Sequence, residues 1–128
     1  DCRTYKLGNV SKSYRVKKVE VKKKAKHVKI TYRNKKKKDK ILFEYKEEEN
    51  APDVINQFTE KNELKKETVD DSEVTMYGDE KCDAMTWQKE SCTFAVKMST
   101  ACSTDKAKKI VSGTKEGKQT GQRYRMLR

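Results

Sequence analysis

Residues 14 to 45 read YRVKKVEVKKKAKHVKITYRNKKKKDKILFEY. Their apolar members fall two apart: Tyr14 and Val16, Val19 and Val21, Val28, Ile30 and Tyr32, then Ile41, Phe43 and Tyr45. Successive side chains of a strand point to opposite faces, so this alternation of β-branched and aromatic residues predicts half-buried antiparallel strands. The lysines take most of the intervening positions and line the outward face. Asn34 to Lys40, with four consecutive lysines, reads as the exposed turn between two of these strands.

The same stretch holds nearly all of the positive charge. Residues 12 to 40 carry fifteen Lys or Arg against Glu20 and Asp39, a balance of +13 in a chain whose total is +12. Residues 1 to 11 come to +1, residues 41 to 105 to −9 and residues 106 to 128 to +7. A domain polarised in this way steers anionic partners toward its basic side, with an affinity that weakens as salt rises.

At 128 residues the chain has one domain's length, and with 33% hydrophobic residues its core is thin. The four cysteines, Cys2, Cys82, Cys92 and Cys102, show no two-residue spacing of a zinc or redox motif. Two disulfides in an oxidising compartment are the expected arrangement, with four buried thiols as the alternative. Asn9-Val10-Ser11 is a glycosylation sequon. No run is long and apolar enough for a membrane span. The chain opens at Asp1-Cys2, as a secreted protein does after leader cleavage.

Along the rest of the chain, residues 50 to 68 read as a short helix or an irregular crossing, with Asn50 as a cap, Pro52 in the first turn and Val54, Ile55 and Phe58 as the apolar stripe, although Val54 and Phe58 also suit a strand. Glu73 to Tyr77 is a strand and Gly78 to Lys81 a turn. Cys82 to Trp87 and Cys92 to Met98 form a hairpin around Gln88 to Ser91. Ser103-Thr104-Asp105 caps a short helix carrying Ala107, Ile110 and Val111. The division expected is a disulfide-stapled β domain over residues 1–112 and a basic, mobile tail over 113–128.

These elements resemble the tick salivary lipocalin family. Residues 28–34 (VKITYRN) followed by 41–45 (ILFEY) are similar to that family's paired central strands, and residues 74–82 (VTMYGDEKC) to its strand ending in an acidic turn and a cysteine. Residues 92–96 (CTFAV) and 102–110 (CSTDKAKKI) resemble its cysteine-led strand and cysteine-led C-terminal helix. The resemblance spans residues 28 to 111. It implies a lipocalin-like barrel, a secreted salivary-effector role and the pairings Cys2–Cys92 and Cys82–Cys102. The lipocalin first-strand Gly-x-Trp is absent, so a trimmed barrel, an open sheet or an unrelated disulfide-stapled β fold stay open.

Little in the chain points to catalysis. His27 is the only histidine, which leaves no two-histidine mechanism, and amid lysines it reads as an exposed strand residue. The acids from Glu44 to Glu49 read as a solvated turn, and Asp70, Asp71 and Glu73 lack the glycine and terminal Glu of a calcium loop. Gly113, Gly117 and Gly121 fall in the polar tail and make no phosphate cradle. No metal or cofactor is expected.

Two binding features stand out instead. Lys17, Lys18, Lys22, Lys23, Lys24, Lys26, Lys29, Arg33, Lys35, Lys36, Lys37 and Lys38 make a cationic strip suited to a sulfated glycosaminoglycan, an acidic protein or, ranked below these, nucleic-acid phosphates, unless they only keep a thin sheet soluble and block edge pairing. The prevalence of lysine over arginine argues against sequence-specific nucleic-acid reading. Tyr32, Phe43, Tyr45, Tyr77, Trp87 and Phe94 are the inward aromatics, which fill the core or line a cavity for a small anionic lipid or amine.

The fold expected is mainly β, an antiparallel barrel-like or strongly curved sheet with one or two short helices. The function expected is that of a secreted, non-enzymatic binding protein that sequesters a host mediator or inhibits a host defence protein through its basic face, with exposed aromatics at loop ends adding specificity. Its partner would be a host extracellular protein or a glycosaminoglycan. A small-ligand carrier and a basic toxin are the alternatives, the latter without an evident amphipathic basic helix.

Overall fold

The computed structural model describes residues 3–117. In chain order the elements are β1 (Tyr5–Lys6), β2 (Tyr14–Lys22), β3 (His27–Asn34), β4 (Lys40–Lys46), α1 (Pro52–Ile55) with a 3-10 turn at Asn56–Phe58, β5 (Glu63–Val69), β6 (Ser72–Tyr77), β7 (Cys82–Lys89), β8 (Cys92–Cys102), α2 (Thr104–Gly113) and β9 (Lys115–Glu116). Seven strands form one antiparallel sheet in the order β2-β3-β4-β8-β7-β6-β5, and β1 pairs with β9. Two meanders, β2-β3-β4 and β5-β6-β7-β8, are thus joined through the β4–β8 ladder.

The alternation read in residues 14 to 45 is realised as three paired strands. Val21 faces Val28, Ile30 faces Phe43 and Tyr32 faces Ile41. The step from Val16 to Val19, three residues instead of two, is accommodated by a bulge at Lys17, where the register shifts between Val16 and Lys18. The extra residue returns Val19 to the packed face, where it is buried.

That face carries the main core: Val28, Ile30, Phe43, Tyr45, Met85, Phe94 and Val96 are buried, with Ala107, Ile110 and Val111 of α2 and Tyr5 and Leu7 of the N-terminal segment packed over them. Tyr5 sits edge-on to Tyr45 and Phe94 at centroid separations of 5.1 and 4.8 Å, and Trp87 stacks on Phe94 at 5.1 Å. Gly8 permits this cover, because a Cβ there would lie 2.0 Å from the carbonyl group of Gly113.

The sheet is not a closed barrel: β2 and β5 stand at opposite ends of the strand order. Closure is replaced by α2 and the Tyr5–Leu7 segment, which shield the apolar face that a barrel would shield by curling on itself. The packed domain also runs past residue 112. Thr114 is buried and donates to Ile110 O at 2.7 Å, and Glu116 pairs with Tyr5. The remainder of the expected tail, 118–128, lies outside the described residues.

Between residues 50 and 68 the short helix forms, and Glu63–Val69 is an edge strand. Asn50 is not its cap; the cap position is Ala51, and Asn50 takes a φ of 50° with its N–H donated to Gln88. Ser103 does cap α2, its hydroxyl accepting from Lys106 N at 3.1 Å. No described helix is long and apolar enough to cross a membrane.

The expected disulfides are not formed in this structure. Cys82, Cys92 and Cys102 are free thiols, and Cys2 lies outside the described residues. Cys82 and Cys102 stand directly opposite on β7 and β8. Each turns its sulfur along its own strand, Cys82 toward Ala84 O at 3.2 Å and Cys102 toward the Met98 sulfur at 3.9 Å. Burial, with Cys102 nearby, pushes the Cys82 thiol up to about 11.

Candidate functional site

The outer face of β2, β3 and β4 is built from rows of residues that stand opposite one another in the ladders. One row is Lys22, His27 and Lys46; the next is Glu20, Lys29 and Glu44; then come Lys18, Thr31 and Leu42. Arg15, Arg33 and Lys40 complete the face at its far end. In the Glu20 row, signs alternate across the strands, with a lysine between two acids. Lys18 also pairs with Glu20 at 3.6 Å.

The Arg15 row has no such compensation. It sets three cations side by side, and like charges directly opposite on neighbouring strands repel. None of the ion pairs among the described residues includes Arg15, Arg33 or Lys40. Beside this row the β3–β4 turn holds Lys35 to Lys38 in place. Asn34 Oδ1 accepts from the backbone N–H groups of Lys36 and Lys37 at 2.9 and 3.2 Å, Asn34 N donates to Asp39 O at 2.9 Å, and Lys35 N donates to Ser13 O at 3.2 Å. Row and turn enclose a cleft of about 410 Å³ lined by Arg15, Val16, Lys17, Arg33, Asn34 and Lys35 to Lys38, with no carboxylate in its wall. Arg15 is steadied there by donating from Nη1 to Lys12 O at 2.9 Å.

The twelve cations of the expected strip therefore divide by position. Lys17, Arg33 and Lys35 to Lys38 gather at the cleft, and Lys18 and Lys29 lie along the middle. Lys22, Lys23, Lys24 and Lys26 cluster around the β2–β3 turn at the opposite end. That end also receives the acidic segment after β4. Glu47 donates its backbone N–H to Lys26 O at 3.1 Å and accepts from Arg3 Nε at 3.3 Å. Burial pushes its carboxyl up, but the Arg3 hydrogen bonds outweigh this, and the charges of Arg3 and Lys26 add to the lowering.

His27 belongs to this corner and is buried, at 6% exposure, instead of standing on the strand surface. Its Nε2 is hydrogen-bonded to Glu44, itself 3% exposed, and its Nδ1 lies 3.8 Å from Asp53 of α1. Gln57 donates to the other Glu44 oxygen at 2.9 Å, and Lys46 bridges Asp53 and Glu48, each at 3.0 Å. Burial raises the Glu44 carboxyl, and the hydrogen bonds from His27 and Gln57 overcome it, holding the group below the usual carboxylate range. The lysines flanking His27 in sequence gave no sign of this. The available signal was the placement of Glu44 on the same face of β4 as His27 on β3.

The six aromatics are not brought onto one face. Tyr32, Phe43, Tyr45, Trp87 and Phe94 are buried within the main core. Tyr77 lies on the other face, stacked on Phe58 at 5.1 Å in a second cluster with Val54, Ala84 and Ala95. Of the nine described aromatic side chains, Tyr14 and Tyr77 are half-buried and the others buried, so the exposed anchors expected at loop ends are absent among the described residues. Asn9 is exposed with a φ of 54°, and its side-chain amide donates to Lys109 O at 2.6 Å. The amide nitrogen of the sequon thus contacts the end of α2.

Compared with protein-family models, curated proteins and solved structures, the chain matches none.

Proposed function

We propose that this protein is a secreted, non-enzymatic binding protein that captures a sulfated glycosaminoglycan along the outer face of β2 and β3. The observation that carries the reading is the uncompensated row Arg15, Arg33 and Lys40 beside a carboxylate-free cleft walled by four consecutive lysines. At about 3.3 Å per residue, the face offers a track of about 26 Å along β3, long enough for several sugar units of a linear polyanion. Lysines give salt-sensitive attraction along such a track, and arginines add planar two-point contacts to sulfate oxygens.

A protein partner is the less supported choice, because interfaces between proteins draw most of their affinity from desolvated aromatic and arginine anchors, and the described aromatics are turned inward. A salivary-effector role in which the face blocks a host defence protein rests on the family resemblance alone. Secretion is consistent with Cys82 and Cys102 standing opposite each other: such pairs have Cα atoms about 4.5–5.5 Å apart, within the span of a disulfide.

Two measurements test the reading. Calorimetric titration with a heparin hexasaccharide is expected to show affinity falling at least about ten-fold between 50 and 200 mM salt. Binding that ignores salt, or no binding at all, would refute it. Intact-mass analysis of the natively secreted protein without reductant is expected to show the loss of two hydrogens per cross-link, and a fully reduced chain would refute secretion into an oxidising compartment.

A further inference from the structure

The density of lysine in the sequence points to residues 22 to 26 as the centre of binding, but the tertiary arrangement points elsewhere. The Lys22–Lys26 turn shares its end of the sheet with Glu47, Glu48, Glu49 and Asp53, and Glu47 lies close enough to feel the Lys26 charge. At the other end, Asp39 is the one acid between Arg33 and Phe43, and its carboxylate accepts from Thr100 Oγ1 at 2.7 Å.

Resting on the glycosaminoglycan reading, we propose that the cleft between Arg15, Arg33 and Lys35 to Lys38 is the specific seat for a sulfate ester group, and that the Lys22–Lys26 end serves only for encounter. Three observations converge on the cleft. Arg15 and Arg33 are the only arginines between residues 12 and 40, and they stand directly opposite one another on β2 and β3. Their mutual repulsion, extended by Lys40, is relieved by an anion placed between them. The turn that adds the lysines is tied down by Asn34 and Ser13, so its backbone is ordered before a ligand arrives. Val16 lies in the wall next to the bulge, where Lys17 has no cross-strand partner and its side chain is available to the cleft.

The test compares two double variants that each remove two positive charges, R15A/R33A at the cleft and K22A/K24A at the far turn, titrated with a heparin hexasaccharide. The cleft variant is expected to bind at least about ten-fold more weakly than wild type and the far variant within about three-fold, as charge-assisted two-point contacts outweigh exposed point charges. R15K/R33K, which keeps the charge and loses the planar fork, is expected to behave like R15A/R33A. In wild-type protein the Arg15 and Arg33 Nε–Hε NMR signals are expected to move most during the titration, a readout independent of any variant's folding. Equal losses in the two double variants, with wild type still binding, would overturn the seat and leave the glycosaminoglycan reading intact. Failure of wild type to bind would overturn both. Tighter binding of a single-stranded oligonucleotide of matched charge would overturn the sulfate assignment.

Discussion

The outer face of the sheet holds two regions made by the same strands and treated in opposite ways. Over β4, β8 and β7 it is covered by α1 and the 3-10 turn, where Phe58 and Val54 pack against Ala84 and Ala95. Over β2 and over β3 beyond His27 it is bare. The covered region presents alanines and threonines, Ala84, Thr86, Thr93 and Ala95, whose small side chains let a helix approach. In the bare region the corresponding outward positions are Arg15, Lys18, Lys29 and Arg33, which hold any covering segment away. Polar groups under the cover are buried and hydrogen-bonded, as with His27 and Glu44, whereas the charged side chains Arg15, Lys18 and Arg33 on the bare side are exposed. The contrast teaches that long cations serve here as a way of keeping a sheet surface open.

The largest expected effect lies under the cover. Phe58→Ala should cost about 3–5 kcal/mol by urea denaturation, since it empties the centre of the second cluster. A loss below about 1 kcal/mol would show that α1 does not hold its place by packing.

Glu44→Gln comes next, at about 2 kcal/mol near neutral pH, because it breaks the buried hydrogen-bonded pair with His27. The folded Glu44 carboxyl lies below its ordinary value of 4.5, so its contribution is present above that value and is lost as pH falls through the folded one. The stability gap between wild type and Glu44→Gln should therefore narrow as pH drops below about 4.5. A gap that stays constant down to pH 3 would mean that the pair contributes nothing through its charge.

The smallest stability effect is expected on the bare side. R15A/R33A should change unfolding free energy by no more than about 0.5 kcal/mol, and in the stabilising direction, because a like-charge contact is removed. A destabilisation above about 1 kcal/mol would show that these arginines hold the hairpin together, which would blur the distinction between the two regions.

The three strands of residues 14 to 45 were legible because β-branched and aromatic residues repeat at the period of a pleated strand, whereas the bulge at Lys17 emerges only with the cross-strand register. The α2 cap was legible because Ser103 stands just before an apolar stripe. β5 was not: its sequence ELKKETV has one apolar residue before Val69, and its bulge between Glu63 and Lys65 disturbs the alternation. Tyr77 was placed inward by its strand pattern, yet its face is decided by the register with Ala84 and by the arrival of Phe58.

The chain alone determined that this protein is a mainly antiparallel β domain with a concentrated positive charge, since both follow from side-chain order along single strands. Whether the sheet closes, where His27 resides and which lysines meet an anion without opposition were decided only in three dimensions. Each depends on which strands become neighbours and on what packs across them, and cross-strand distances of about 5 Å join residues that sequence separates by a dozen positions or more.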